Sequence, residues 1–504
     1  MLLDLDKKSK VPLYCQIFEI FKEKIERGDL PAESVLPPTR QVAASNRVNR
    51  ATVQHAYRIL LEKGFTSSRV GQGTIVSYRT SKNLKKKKMQ RPVRSPGASW
   101  MNAMARNQTR AHESTLRNLI YMALEKKGIN LAVSEPSPEL FPLAEFRRCM
   151  NRVLRREGKT LLQHGSVEGY LPLRRLLAKY MQKYQIDLDE KEIIIISGTQ
   201  QGLDLLSRIF IDRGDSVLME APTYPGAIEL FHSIGARCCY LPVENREAWQ
   251  EGLLSQLTGN NIRMIYTIPV CHSPTGIVIP LEARKEFLKC VSAFPVPVIE
   301  DFSMGELLFR SPNLPLKALD TRGQVLSLGS FSKQLFPGLR LGWVAAPLPI
   351  IEKLKLLRQT SDLHSSLLVQ GALAEFWHRG DFQRHAWKSN KVYEARMKLA
   401  LGSLEQYFPP EVEWIEPEGG FSIWLKFPGE IDGVDLFLKA LDHGVVCCPG
   451  ILFYGDGSGR HRIRLSYSHP DEDALEKGIK ILGHIAKETL RRSGEGKESP
   501  LLNL

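Results

Sequence analysis

Four hydrophobic patterns follow one another along the 504 residues. Near the start, Tyr14, Ile17, Phe18, Phe21 and Ile25 recur at helical intervals between Pro12 and Gly28. That spacing predicts an amphipathic helix with one apolar face. Thr39 can N-cap a short second helix to about Ser45, and Asn49 a third with Val53, Ala56, Tyr57 and Leu60 inside and Gly64 at its end. Over Phe65–Tyr78, β-rich residues flank Gly71-Gln72-Gly73, which reads as strand, glycine tip and strand. Periodicity then vanishes over residues 79–112, where Lys85–Lys88, Pro92, Pro96, Gly97 and several serines predict an extended, mobile tether. Beyond it, short apolar runs alternate with helical patterns. Ile193–Ile196, Val217–Met219, Met264–Ile268, Val296–Ile299, Val325–Leu328 and Gly342–Ala345 are the expected strands of a mainly parallel sheet. The expected fold is α/β, with a helical, winged head at 1–78, a tether at 79–112 and a large body at 113–504.

Charge divides the chain at the same places. The net charge is +14, yet residues 1–78 carry 12 Lys/Arg against 8 Asp/Glu, residues 79–110 carry 10 against none, and the remainder 47 of each. A basic head on a neutral body points to polyanion binding by the head. Helix, helix, turn, helix and β-ribbon is the order of a winged helix-turn-helix, with Arg50 and Thr52 near the end of the recognition helix that reaches base edges. A small helical interaction domain with solvated arginines has the same helical order. The tether is read as a solvated linker that can also track phosphates.

The remaining composition mostly excludes. With 43% hydrophobic and 25% charged residues, the chain is neither collagenous nor wholly disordered. No stretch approaches the ~20 apolar residues of a membrane span, and Met1–Lys10 is too charged for a secretory leader. Eight cysteines without a C-x-x-C make no metal framework. The adjacent pairs Cys238–Cys239 and Cys447–Cys448 read as small core residues, and the expected compartment is a reducing cytoplasm.

Chemistry-bearing residues gather where the body's strands end, the side on which open α/β sheets bind ligands. Gly198-Thr199-Gln200-Gln201 follows a buried run and opens a helix, so its free N–H groups suit a phosphate. Many strand-to-helix turns look the same. Tyr224, in E-A-P-T-Y, offers either an aromatic platform or a core ring. Asp301 ends another strand with a carboxylate, although neighbouring Glu300 is an alternative polar end. Ser330, Ser332 and Lys333 lie in S-L-G-S-F-S-K, seven residues before Arg340. Together these are the parts that pyridoxal 5'-phosphate requires: an amine for a Schiff base, an acid for the ring nitrogen, a flat neighbour, and a helix start with hydroxyls and an arginine for phosphate.

Two resemblances add to this. P-L-Y-x-Q-I at Pro12–Ile17, L-P-x-x-R ending at Arg40, N-R-A-T-V at Asn49–Val53 and G-Q-G-T-I-V from Gly71 resemble the GntR-type DNA-binding domain. The resemblance implies that Arg40, Arg50, Thr52 and the wing glycines Gly71 and Gly73 meet DNA. Asn46 stands where that family usually has a buried Leu, and Arg47 where it has a turn Gly. The body resembles fold-type I aminotransferases, with a large parallel-sheet domain and a smaller C-terminal subdomain. Further matches are G-Y-L-P-L-R at Gly169–Arg174, S-P-T-G at Ser273–Gly276, E-G-G-F at Glu418–Phe421 and R-L-S at Arg464–Ser466. By resemblance, Lys333 forms the Schiff base, Asp301 pairs with the ring nitrogen and Tyr224 stacks on the ring. Thr199, Gln200, Ser330, Ser332 and Arg340 bind phosphate, and Arg464 takes an effector carboxylate. Ser273 replaces an Asn and Ser303 a Tyr, both of which normally touch the cofactor's phenolic oxygen.

Head, linker and body in this order resemble the MocR family of bacterial transcription regulators. The resemblance implies a cytoplasmic homodimer, head-to-tail being one arrangement, that reads paired DNA sites. Its body would sense an amine or amino-acid-like effector, or the cofactor itself. An aminotransferase with an accessory DNA-binding head, and a DNA-binding dimer with a vestigial body, are the competing expectations.

Overall fold

The computed structural model describes residues 3, 5–6, 12–27, 29–31, 34–46, 48–63, 65–69, 73–77, 115–125, 128–244, 246–309 and 314–495. The chain divides into two compact units, Met1–Ala103 and Met104–Leu504. The tether, Gly28, Arg47, Gly64 and Gly71 lie outside the described residues.

In the first unit, α1 (Leu13–Arg27), α2 (Thr39–Asn46) and α3 (Arg50–Glu62) precede an antiparallel ribbon of β1 (Thr66–Arg69) and β2 (Gly73–Val76). The predicted faces form its core, with Ile17, Phe18, Phe21, Ile25, Val53, Ala56, Tyr57 and Leu60 all buried. Phe21 meets Tyr57 edge-to-face at 5.3 Å, and the Tyr57 hydroxyl donates to the Pro37 carbonyl at 2.8 Å. Tyr14 is only half-buried and packs its ring against His55 at the margin. Asn49 caps α3 by accepting the Ala51 N–H at 2.9 Å. Thr39, by contrast, is the first residue of α2 rather than its cap. Asn46 is buried with its polar atoms engaged: its amide donates to the Val42 carbonyl at 2.8 Å and its oxygen accepts the Leu3 N–H at 2.6 Å. A buried amide at this position is tolerable because both ends have partners.

The second unit is built on a seven-stranded sheet. Its strands are β4 (Ile193–Ile196), β5 (Ser216–Ala221), β6 (Arg237–Pro242), β7 (Ile262–Thr267), β8 (Val298–Asp301), β9 (Val325–Ser330) and β10 (Gly342–Ala345), in the order β4-β10-β9-β8-β7-β5-β6. Only β10 runs antiparallel to its neighbours. All six expected strands form, with β8 shifted so that Asp301 is its last residue. The unexpected β6 is an edge strand carrying Cys238 and Cys239. These cysteines are half-buried rather than core, packing against two different apolar clusters, whereas Cys447 and Cys448 are buried. A smaller antiparallel sheet joins β11 (Glu413–Ile415), β12 (Ser422–Lys426), β15 (Arg462–Ser466) and β14 (Cys448–Pro449) in that order. The short β3 (Ile129–Asn130) pairs with β13 (Val445–Val446), tying the start of this unit to its C-terminal part. No helix among the described residues is long and apolar enough to cross a membrane.

Candidate active site

The six parallel strands of the large sheet end on one edge, and a cavity of about 340 Å³ opens there. Its lining includes Thr199, Tyr224, Ser273, Asp301, Ser303, Lys333 and Arg464. These residues come from stretches more than 260 positions apart in sequence, brought together by sheet topology.

Asp301 and Glu300 illustrate how the strand selects between neighbours. Successive side chains on a strand face opposite ways. Asp301 lines the cavity, while Glu300 turns away and accepts the Leu316 and Lys317 N–H groups at 2.6 and 3.0 Å. The Asp301 carboxylate accepts the Tyr266 hydroxyl at 2.9 Å, the Ser303 N–H at 3.0 Å, and a further short hydrogen bond from the Ser303 hydroxyl. Burial raises its pKa, while the hydrogen bonds from Ser303 and Tyr266 and the Lys333 charge pull it back.

Lys333 lies just beyond β9 on the same cavity, and its Nζ donates to the Ser134 carbonyl at 2.8 Å. Burial lowers its pKa, joined by the positive charges of Arg464 and Arg340 and opposed by Glu135 and Asp301. Arg464, on β15, donates a short hydrogen bond to the Ala132 carbonyl and lies over the Phe453 ring at 4.9 Å. Its buried Nε has no hydrogen-bond partner.

Gln200, Ser330, Ser332 and Arg340 are outside this lining but form a second group beside it. Gly198, with φ +102°, turns the chain into the helix Thr199–Phe210. That positive φ is one L side chains rarely adopt, so glycine suits the turn, and a Cβ there would press on the Arg340 guanidinium at 3.3 Å. Arg340 donates to the Ser197 carbonyl at 3.0 Å, and Ser330 Oγ accepts the Ser332 N–H at 3.1 Å. The Ser332 hydroxyl and Gln200 Oε1 are buried without hydrogen-bond partners. Unsatisfied buried polar atoms are uncommon enough to mark a place for a ligand.

Sequence reasoning missed several residues of this site. Val133, Ser134 and Glu135 cross the cavity beside Lys333, and Ser134 acts through its carbonyl, which no side-chain motif announces. Tyr266 lies inside β7 and looks like a core aromatic except for its hydroxyl. Ile120, Tyr121 and Leu124 add an apolar wall from the helix Thr115–Leu124. In the head, Arg40 and Arg50 are exposed at the starts of α2 and α3, Thr52 is half-buried and Gly73 opens β2 with φ +88°.

Comparison with known proteins places both units. Residues 13–76 match the family of bacterial regulatory proteins of the gntR type, and residues 126–482 match aminotransferases of class I and II. The uncharacterized HTH-type transcriptional regulator YisV of Bacillus subtilis (strain 168) is 34% identical over 493 residues, covering 96% of this chain and 97% of its own. The chain belongs to the MocR-type transcription regulators. Within this family, the probable rhizopine catabolism regulatory protein MocR of Rhizobium meliloti is 28% identical over 483 residues, covering 95% of each chain. The MocR-type body is also similar to a crystal structure of LysN, an α-aminoadipate aminotransferase from Thermus thermophilus complexed with N-(5'-phosphopyridoxyl)-L-leucine. There the identity is 34% and the TM-score 0.73, covering 78% of this chain and 99% of that one. That aminotransferase therefore matches the body, while the full-length relatives are regulators.

Proposed function

We propose that the body, residues 113–504, holds pyridoxal 5'-phosphate, and that its occupancy sets how the head, residues 1–78, binds operator DNA through the 79–112 linker. One observation carries the reading: Lys333, Asp301 and Arg464 line a single cavity in a chain that also has a GntR-type head. The residues present fit the group. The unpartnered Ser332 hydroxyl, with the Arg340 guanidinium packed against Gly198 at the start of a helix, provides donors that a phosphate would satisfy.

Each residue then has a physical role. Thr199, Gln200, Ser330, Ser332 and Arg340 would hold the phosphate, Tyr224 would flank the ring, and Ser273 would lie on its phenolic side. Asp301 would face the ring nitrogen, its carboxylate fixed by Tyr266 and Ser303. Burial shifts Lys333 toward its neutral, nucleophilic form. Arg464 would exchange its hold on Ala132 for the carboxylate of an amino-acid-like effector. When bound, the cofactor supplies an aldehyde that an amine can occupy and a ring that withdraws electrons.

The regulator works as a cytoplasmic homodimer whose heads read paired sites through Arg40, Arg50, Thr52, Gly71 and Gly73. A coupling of ~1–3 kcal/mol between body and head suffices for a switch. Cofactor-loaded protein should show an absorbance band that shifts once on adding an active amine, together with a changed gel shift of the DNA upstream of its gene. Lys333→Ala should lose both. If band and DNA response survive that substitution, the reading fails. Steady keto-acid production from an amino acid and a 2-oxo acid would instead support an enzyme.

A further inference from the structure

We propose that the body carries a second small-molecule site, behind the cofactor cavity, that takes an aromatic carboxylate. The site is a separate cavity of about 780 Å³ between the helices Leu171–Met181, Leu367–His378 and Asp381–Tyr407, a size within the usual range for ligand pockets. It shares no lining residue with the first cavity.

Its walls are aromatic. Tyr180, Trp377, Phe382 and Trp387 line it, with Trp377 buried at 4% exposure and Trp387 standing 64% exposed. Lys391 Nζ lies over the Trp387 ring at 3.8 Å, so this exposed aromatic already carries a cation beside the cavity. The Tyr180 hydroxyl oxygen is buried and has no hydrogen-bond partner.

Charge selects the class of ligand. The cavity's one carboxylate, Glu306, already takes Lys183 Nζ at 3.3 Å on each oxygen and a short hydrogen bond from the Tyr184 hydroxyl. Lys183 also lies over the rings of Tyr180 and Tyr184, at 5.5 and 5.0 Å. A cationic ligand would have to displace an ammonium that the protein itself supplies at the positions a cation prefers. Lys179 and His378 also line the cavity, and Lys179 is exposed with no ion pair among the described residues. The unbalanced charge is therefore positive. A planar ring against the exposed part of Trp387, with its carboxylate toward Lys179, matches what is exposed.

The cavity's floor touches the cofactor site from behind. Phe331, between Ser330 and Ser332, meets Trp377 and Phe382 at ring separations of 5.7 and 6.2 Å. Tyr184, which lies beside the cavity and bonds its Glu306, meets Phe302, next to Asp301, at 5.1 Å. An occupant would bear on the backbone that carries Asp301 and Lys333, which gives it a route to change cofactor retention.

Equilibrium dialysis of phenylacetate against the full-length, cofactor-loaded chain tests the site, with benzylamine as the charge-reversed control. Saturable binding of one phenylacetate per chain is expected, at least about tenfold tighter than benzylamine. Trp387→Ala with Lys179→Ala should weaken it by about tenfold or more. Trp387→Phe, which keeps a ring, should retain most of it. Lys333→Ala should leave it intact, which separates this site from the cofactor reading. Equal affinity for benzylamine, loss of binding in Lys333→Ala, or no saturation in the millimolar range would each overturn the proposal. So would a change of oligomeric state in Trp387→Ala, which would make this face an interface between copies.

Discussion

Head and body treat the residues we propose for their functions in opposite ways. Arg40 and Arg50 stand exposed at helix starts, while Asp301, Ser330 and Ser332 are buried and Lys333 is tied to a backbone carbonyl. A duplex is an extended polyanion that supplies its own geometry, so displayed guanidinium groups on rigid helices suffice to meet it. A small cofactor must be oriented by the protein. The residues proposed to hold it therefore sit in low dielectric, where burial and hydrogen bonds hold and shift the titration of Asp301 and Lys333.

The largest expected contrast is in pH dependence. Glu300 is fully buried, and burial raises its pKa to about 7 against two N–H donors that pull it down. A carboxyl whose folded pKa lies above its unfolded value destabilises the fold as it ionises. Body stability should fall as pH rises from about 4.5 to 7 and level off above, by on the order of 3 kcal/mol from this group. Thermal unfolding of the body between pH 5 and 8 checks this, and Glu300→Gln should reduce the fall, the rest coming from Glu306, whose pKa burial also raises to about 7. The head has no comparably buried carboxylate among its described residues, so its transition should not follow. A head transition that moved in parallel would break the comparison.

Arg50→Ala sharpens the contrast from the other side. Its loss should weaken operator binding by ~1–3 kcal/mol, about 5- to 150-fold, as expected for one base-reading contact. Cofactor absorbance should be unchanged. Gel-shift titration and an absorbance scan of the same preparation read both outcomes. Equal loss on unrelated DNA would show that Arg50 binds phosphate rather than bases.

Much of this arrangement was legible in the sequence, for particular physical reasons. Helical periodicity revealed the faces of α1 and α3 because a small head must bury one stripe of each helix. Buried parallel strands showed as apolar runs. β6 escaped because its short run, Cys238–Leu241, has no β-branched residue and lies half covered at the sheet's edge. The choice between Glu300 and Asp301 could not be read from composition, since strand register decides which of two adjacent acids faces the cavity. Ser134, Glu135 and Tyr266 escaped because one acts through its backbone and the others lie in ordinary-looking surroundings. The aromatic cavity behind the site left no motif at all. Its residues come from three α-helices and two short 3-10 turns, with no fixed spacing among them.

The smallest effect concerns the cap that presents Arg50. Asn49 has extended backbone, φ −67° and ψ 139°, and its side chain accepts the Ala51 N–H at the start of α3. Without that acceptor, one donor of the first turn must turn to water, and Asn49→Ala should cost the head ~1 kcal/mol. Asn49→Asp should retain most of it, because a carboxylate accepts equally well and favours the helix's positive end. The cap precedes Arg50 directly, so fraying of this turn would loosen the guanidinium it displays. Asn49→Ala should therefore weaken DNA binding less than Arg50→Ala does, while lowering the head's melting temperature more. The reverse ranking would mean that Asn49 itself touches DNA. Melting the head and titrating DNA with the same two variants decides between them.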